Sequence, residues 1–242
     1  MIWRKKQTRQ CINLSTQNTG GKANMNFKRF EVIRGNYIEE IYGQVRLGYS
    51  LSDNTEFYDM LEWLKKGDFQ GQTLVFYDYT NGKVYEPFVK QKNVLYGKPV
   101  YLKNYYWFLQ GDFNNGKITL FKYFPGKLLE PVTQLKITEI ELYNLRIIGE
   151  DVCIISEDNE FICYYPESFS FPKKANETVS LISDDKVYLD AWIEEGWDDE
   201  RNCATQDYKY YEKVIIRDFR GNLVSEKLGC IQQRPDGTWW LA

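Results

Sequence analysis

The sequence predicts an all-β protein built as a small array of about four, or five, four-stranded antiparallel units, and three observations carry that prediction. The stretch Trp63 to Phe88, WLKKGDFQGQTLVFYDYTNGKVYEPF, is written again 44 residues later as Trp107 to Val132, WFLQGDFNNGKITLFKYFPGKLLEPV, with nine identical positions and no gap. Aromatic residues make up 17 % of the chain, and they favour half-buried pleated surfaces, where they pack across strands. Glycines and turn signals punctuate short apolar runs at strand spacing. A chain of 242 residues suits one core, so residues 27–242 read as a single domain. Two packed sheets, a β-sandwich with repeated hairpins, form the alternative.

Taken in order, residues 1–26 carry basic residues, no acids and no apolar core of the secretory kind, and read as a flexible extension before a start at Met25. Their composition also allows a mitochondrial-type targeting peptide, although the amphipathic pattern is poor. FKRFEVI, from Phe27, is a first strand, followed by NYIEEIYG and QVRLGYSL. Between Glu56 and Lys66 two patterns compete. Phe57, Met60, Leu61 and Leu64 have helical spacing, whereas Trp63 aligns with Trp107 in the strand-like Tyr105-Tyr106-Trp107. The repeat favours a strand at the Trp63 end, with a helical turn before it.

Inside each copy, TLVFYDY and ITLFKY are strands, and Gly82 or Gly126 supplies the positive φ of a hairpin turn. KVYEPF and KLLEPV then return as edge strands, because a proline cannot donate to a ladder. A third copy is EFICYYPESFSFP and a fourth is KVIIRDFRGNLVSEKL. Two markers accompany them: W-x-x-x-G at Trp63, Trp107 and Trp192, and Ile41-Tyr42-Gly43, Leu95-Tyr96-Gly97 and Leu142-Tyr143-Asn144. The units run 36–92, 93–136, 137–182 and 183–232. A terminal strand at Thr238 to Leu241 is expected to pair with FKRFEVI and close the array.

Four-stranded units of this length resemble the blades of β-propeller repeat proteins. The resemblance covers about four fifths of the chain and is generic, since the G-H…W-D pair of WD40 repeats and the Gly-Gly doublet of kelch units are both missing. It implies an array of blades and no subfamily.

Composition excludes several functions. A net charge of −3, from 31 basic and 34 acidic residues, leaves no footprint for a phosphate backbone, so no nucleic acid is expected. No segment approaches the ~20 apolar residues of a membrane-spanning helix. Five cysteines without a C-x-x-C pair read as free thiols in a reducing compartment, and a cytoplasmic monomer is expected. Cys153 and Cys163 flank a hairpin and read as core. The chain contains no histidine, which removes Ser-His-Asp and Cys-His chemistry and all His-containing metal sites. No cofactor or metal is predicted.

The candidate sites are an acidic segment and two aromatic patches. Glu194, Glu195, Trp197, Asp198 and Asp199 fall in an insertion of the fourth unit, read as a loop from Glu194 to Asp207, where a carboxylate set with an indole platform could hold a ligand. Two carboxylates across a sugar bond would make it glycan-active; a solvated loop is the plain reading, and calcium-loop spacing is missing. Tyr105 and Tyr210 stand in aromatic runs whose alternation sends neighbours to opposite faces, leaving a surface for a protein partner. Asp68 and Asp112 read as closing their own turns, and Trp63, Trp107 and Trp192 as packing between units. The expected function is a binding or scaffold module, without catalysis, for a protein or small ligand.

Overall fold

The structure, a computed structural model, describes residues 27–34, 36–198 and 200–242; the extension 1–26, and Cys11 with it, lies outside them. The fold is all-β with antiparallel sheets that follow one another along the chain. The first contains β1 (Glu39–Glu40), β2 (Leu47–Leu51), β3 (Leu74–Asp78) and β4 (Val84–Tyr85), with helix α1 (Met60–Lys66) between β2 and β3. The second contains β5 (Val94–Tyr96), β6 (Val100–Leu102), β7 (Tyr105–Asp112), β8 (Lys117–Phe124) and β9 (Leu128–Lys136), so it has five strands, β5 and β6 both pairing with β7. The third is β10 (Arg146–Ile148), β11 (Cys153–Glu157), β12 (Glu160–Tyr165) and β13 (Phe169–Pro172). The fourth is β14 (Glu177–Ser183), β15 (Lys186–Asp198), β16 (Cys203–Asp218) and β17 (Leu223–Leu228), and β18 (Ile231–Gln233) pairs with β19 (Trp239–Leu241).

Alternation explains how the sheets stack. Successive side chains of a strand point to opposite faces, and in β7 Tyr106 and Phe108 enter one core cluster with Leu74 and Phe76 of the first sheet. Trp107 and Leu109 enter another, with Ile147 and Ile154 of the third sheet and Leu145 just before it. In β11, Ile154 faces the second sheet while Cys153 and Ile155 join Val187, Leu189 and Ile215 of the fourth. Three clusters therefore cement three successive interfaces. Polar staples run alongside them: buried Gln72 accepts from the Tyr96 N–H and donates to the Asp53 carbonyl. Arg146 of β10 bonds buried Glu157, whose second oxygen accepts from the Val179 N–H of the fourth sheet. Buried polar groups need such partners.

The repeated hairpins fold alike. Gly82, Gly126 and Gly221 turn the chain at φ of +74°, +68° and +82°. Asp78 and Asp218 each cap the turn that follows, accepting backbone N–H groups of Thr80 and of Arg220 and Asn222. Strands β4 and β9 are outermost; β4 ends at Tyr85, before Pro87, and in β9 Pro131 sits opposite Phe121 at a bulge.

Other expectations are corrected. Trp63 lies in α1, not in a strand: of the helically spaced set Phe57 and Met60 are buried in the core while Leu61 and Leu64 stay exposed, and Glu62 pairs with Lys66 one turn on. The three glycines of W-x-x-x-G do three different things, with Gly67 ending a helix, Gly111 lying in β7 against Phe57 and Gly196 forming a bulge. Trp107 is buried, but Trp63 and Trp192 are 44 % and 48 % exposed, so neither is packed away between sheets. Asp112 does close its turn, accepting from the N–H groups of Asn114 and Asn115, whereas Asp68 pairs with Lys92.

FKRFEVI forms no strand. Phe30 instead packs edge-on against Tyr77 and Tyr79, and the Glu31 N–H bonds the Gly82 carbonyl. The last strand pairs with its own neighbour β18, because a tight turn at Pro235 to Gly237 makes that partner local. The boundary between third and fourth units also moves: β14 starts at Glu177 and pairs with β15. Cys153 and Cys163 are core residues, and Ile155 is the residue opposite Cys163.

Candidate functional site

The acidic segment is not a loop. β15 and β16 pair continuously from Lys186 opposite Asp218 to Asp198 opposite Cys203, with one irregularity. β14 accompanies β15 only as far as Ala191, and β17 accompanies β16 only from Lys213. The last lateral ties are between Asn176 and Trp192 and from the Gly229 N–H to the Glu212 carbonyl. Beyond them residues 193–198 and 203–211 stand as a two-stranded ribbon. Six residues of strand at ~3.3 Å each make it about 20 Å long, and both outer edges present unpaired backbone.

Cross-strand pairs share a face in an antiparallel ladder. Trp192 lies opposite Glu212 and Glu194 opposite Tyr210, while Ile193 lies opposite Tyr211 and Glu195 opposite Lys209 on the other side. The first face carries Trp192, Tyr208 and Tyr210, exposed by 48 %, 36 % and 57 %. Its carboxylate Glu194 accepts a hydrogen bond from the Tyr208 hydroxyl at 2.8 Å, and on the second face Glu195 accepts from Tyr211 at 2.7 Å. These bonds to anions raise both phenols above their ordinary pKa.

Gly196 sets the irregularity. Its φ is +73°, and a side chain there would meet the backbone of Asp207 and Tyr208 at 2.9 Å. The register slips between Glu195 and Trp197, so that residues 205–208 bulge from β16. Thr205 closes the bulge through its hydroxyl, which donates to the Gly196 carbonyl, and the Trp197 ring meets Tyr208 edge-on at 6.1 Å. At the tip Asp198 accepts from the Arg201 N–H; Asp199 lies outside the described residues.

Tyr105 is placed differently. It is half-buried at the start of β7, with the Lys122 ammonium 3.9 Å above its ring and Phe124 against its edge. Tyr105 and Tyr210 thus belong to the second and fourth sheets and form no common patch through shared contacts. No residue of 192–212 lines the cavity bounded by Phe171, Arg217 and Glu226 or the two cavities that share Glu39. No group of three or more Asp, Glu or Cys side chains that could hold a metal occurs among the described residues.

Sequence reasoning missed two neighbouring cavities of about 760 and 520 Å³. They share Glu39, Val100 and Ile147, from β1, β6 and β10, together with Lys98. Short strands of three successive sheets, β1, β6 and β10, therefore line both cavities. The larger cavity gains Gln233 and Trp239 from the C-terminal hairpin. That hairpin reaches the fourth sheet through the Ile231 N–H on Asp190 and the first through the Gly43 N–H on the Pro235 carbonyl.

Fold and site together define an all-β protein of successive antiparallel sheets that carries a projecting, aromatic-faced ribbon. Compared with known proteins, the chain matches no family model, no curated protein and no solved structure. No helix among the described residues is long and apolar enough to cross a membrane.

Proposed function

We propose that the chain is a binding module of blade-like, β-propeller-type units that holds a protein partner on its β15–β16 ribbon. One observation carries this reading: a sheet that buries Val187, Leu189, Val214 and Ile215 continues into a ribbon that leaves Trp192, Trp197, Tyr208 and Tyr210 in water. Exposed aromatic anchors of this kind dominate protein interfaces, and an unpaired edge offers a further strand its hydrogen bonds. Residues 192–212 hold seven acids against Arg201 and Lys209, so the matching surface is basic, and salt weakens the complex.

The test is affinity capture with the parent chain and a Trp192→Ala/Tyr210→Ala variant at two ionic strengths. The reading requires a partner with a basic contact surface, held by the parent at low salt, released at high salt and lost from the variant. An identical set of partners on parent and variant overturns it.

A further inference from the structure

The space lined by these short strands has a chemistry that the ribbon does not share. Its larger cavity, about 760 Å³, is walled by Tyr42, Tyr49, Tyr79, Tyr101 and Trp239, and a volume of this order suits a small organic molecule. The charged groups on its lining are Glu39, Glu40 and Lys98. Glu39 is held in place: it lies opposite Tyr49 in the β1–β2 ladder, and its Oε2 accepts from the buried Tyr49 hydroxyl at 2.9 Å. Its Oε1 accepts no hydrogen bond among the described residues. Lys98 approaches the carboxylate only to 3.8 Å, and its side chain is 73 % exposed. A loosely held lysine of this type leaves for water at little cost.

We propose that this cavity binds a small organic cation, an amine or quaternary ammonium on an apolar body, with Glu39 as counter-ion and Lys98 as the internal cation that the ligand displaces. Aromatic faces attract such a cation through their quadrupoles, and the apolar body gains the walls supplied by Val100, Ile147 and Trp239. The carboxylate is fixed by its strand and by Tyr49 before the ligand arrives, so little ordering is needed on binding. The site is separate from the ribbon, and the Trp192→Ala/Tyr210→Ala variant binds the cation as the parent does.

The experiment titrates the full chain with benzyltrimethylammonium, benzylamine, benzyl alcohol and benzoate, read by calorimetry and by Trp fluorescence. The two cations bind at least tenfold more tightly than the neutral and anionic probes. Glu39→Gln, whose amide oxygen still accepts from Tyr49, loses at least tenfold of the cation affinity with its thermal midpoint unchanged. Lys98→Met tightens cation binding about threefold or more, and this second variant keeps the test decisive if the first does not fold. Absence of cation binding at millimolar concentration, equal binding of benzyl alcohol, or parent-like affinity in Glu39→Gln overturns the proposal. Weaker cation binding in Lys98→Met does so as well.

Discussion

The second sheet and the outer part of the β15–β16 hairpin are both long antiparallel pairs, yet they use alternation to opposite ends. In β7 each face meets another sheet: Tyr106 and Phe108 pack toward the first, Trp107 and Leu109 toward the third. In the ribbon beyond Ile193 each face meets water, and the hydrogen-bonded ladder persists without a core behind it. The difference shows that strand length here is set by ladder chemistry and turn geometry, while stability is set by which segments have neighbours. The ribbon's charges also make its free edges a poor template for self-association, which leaves them open to a partner of opposite charge.

The sharpest way to break the comparison is to truncate one aromatic residue from each region. Phe108 is fully buried and touches Phe76, Tyr96, Phe121 and Tyr123. Phe108→Ala costs about 3–5 kcal/mol, the usual range for removing a buried phenylalanine. Tyr210→Ala, on the exposed ribbon, stays within about 0.5 kcal/mol of the parent. Urea unfolding of both variants measures the contrast, and a cost above 2 kcal/mol for Tyr210→Ala would show that the ribbon supports the fold.

This contrast also explains what could be read in the sequence. The hairpins following Asp78, Tyr123 and Asp218 were legible because a positive-φ glycine and its flanking strands must recur wherever that turn recurs. Trp63 reads as a strand by its identity with Trp107, but Phe57 and Met60, buried just before and at the start of α1, commit this segment to a helix. The ribbon looked like a loop because a period of two is visible only when one face is apolar. Glu194, Glu195 and Asp198 hide their strand character behind charge, although Tyr208 to Tyr211 carry an aromatic strand signal. The cavity at Glu39 was out of reach, since its walls come from short strands and a C-terminal hairpin that share no repeated motif.

A middle-sized effect is expected at the junction of the first two sheets. Arg46 donates two hydrogen bonds to Asp78, at 2.9 and 2.8 Å, and its guanidinium lies 5.3 Å from the Phe124 ring centroid. Burial would raise the Asp78 carboxyl, but hydrogen bonds from Thr80 and Arg46 outweigh it and hold the carboxyl below its ordinary value. A depressed carboxylate contributes stability above its unfolded pKa of ~3.9 and loses that contribution as pH falls through the folded value. Arg46→Ala therefore costs about 2 kcal/mol at pH 6. The gap between variant and parent narrows when both are unfolded by urea at a pH below the ordinary carboxylate range, because Asp78, released from Arg46, protonates more readily in the variant. A gap that stays constant between the two pH values would detach Arg46 from that carboxylate.

The smallest global effect belongs to Gly196, where local strain and overall stability come apart. An alanine at φ +73° carries a left-handed penalty of about 1–2 kcal/mol, and its methyl group would crowd the backbone of Asp207 and Tyr208 at 2.9 Å. In a sheet flanked by neighbours such a clash would spread into the core. Here the ribbon yields alone, because its residues take part in none of the inter-sheet clusters beyond Ile193. Gly196→Ala should leave the urea midpoint nearly unchanged while the backbone amides of residues 193–198 and 203–211 exchange with deuterium markedly faster than in the parent. Unchanged exchange would mean that the bulge accepts a side chain. A lowered midpoint would instead mean that the ribbon is coupled to the core through contacts of its own, and the division between a supporting sheet and a free-standing ribbon would fail at the residue that shapes it.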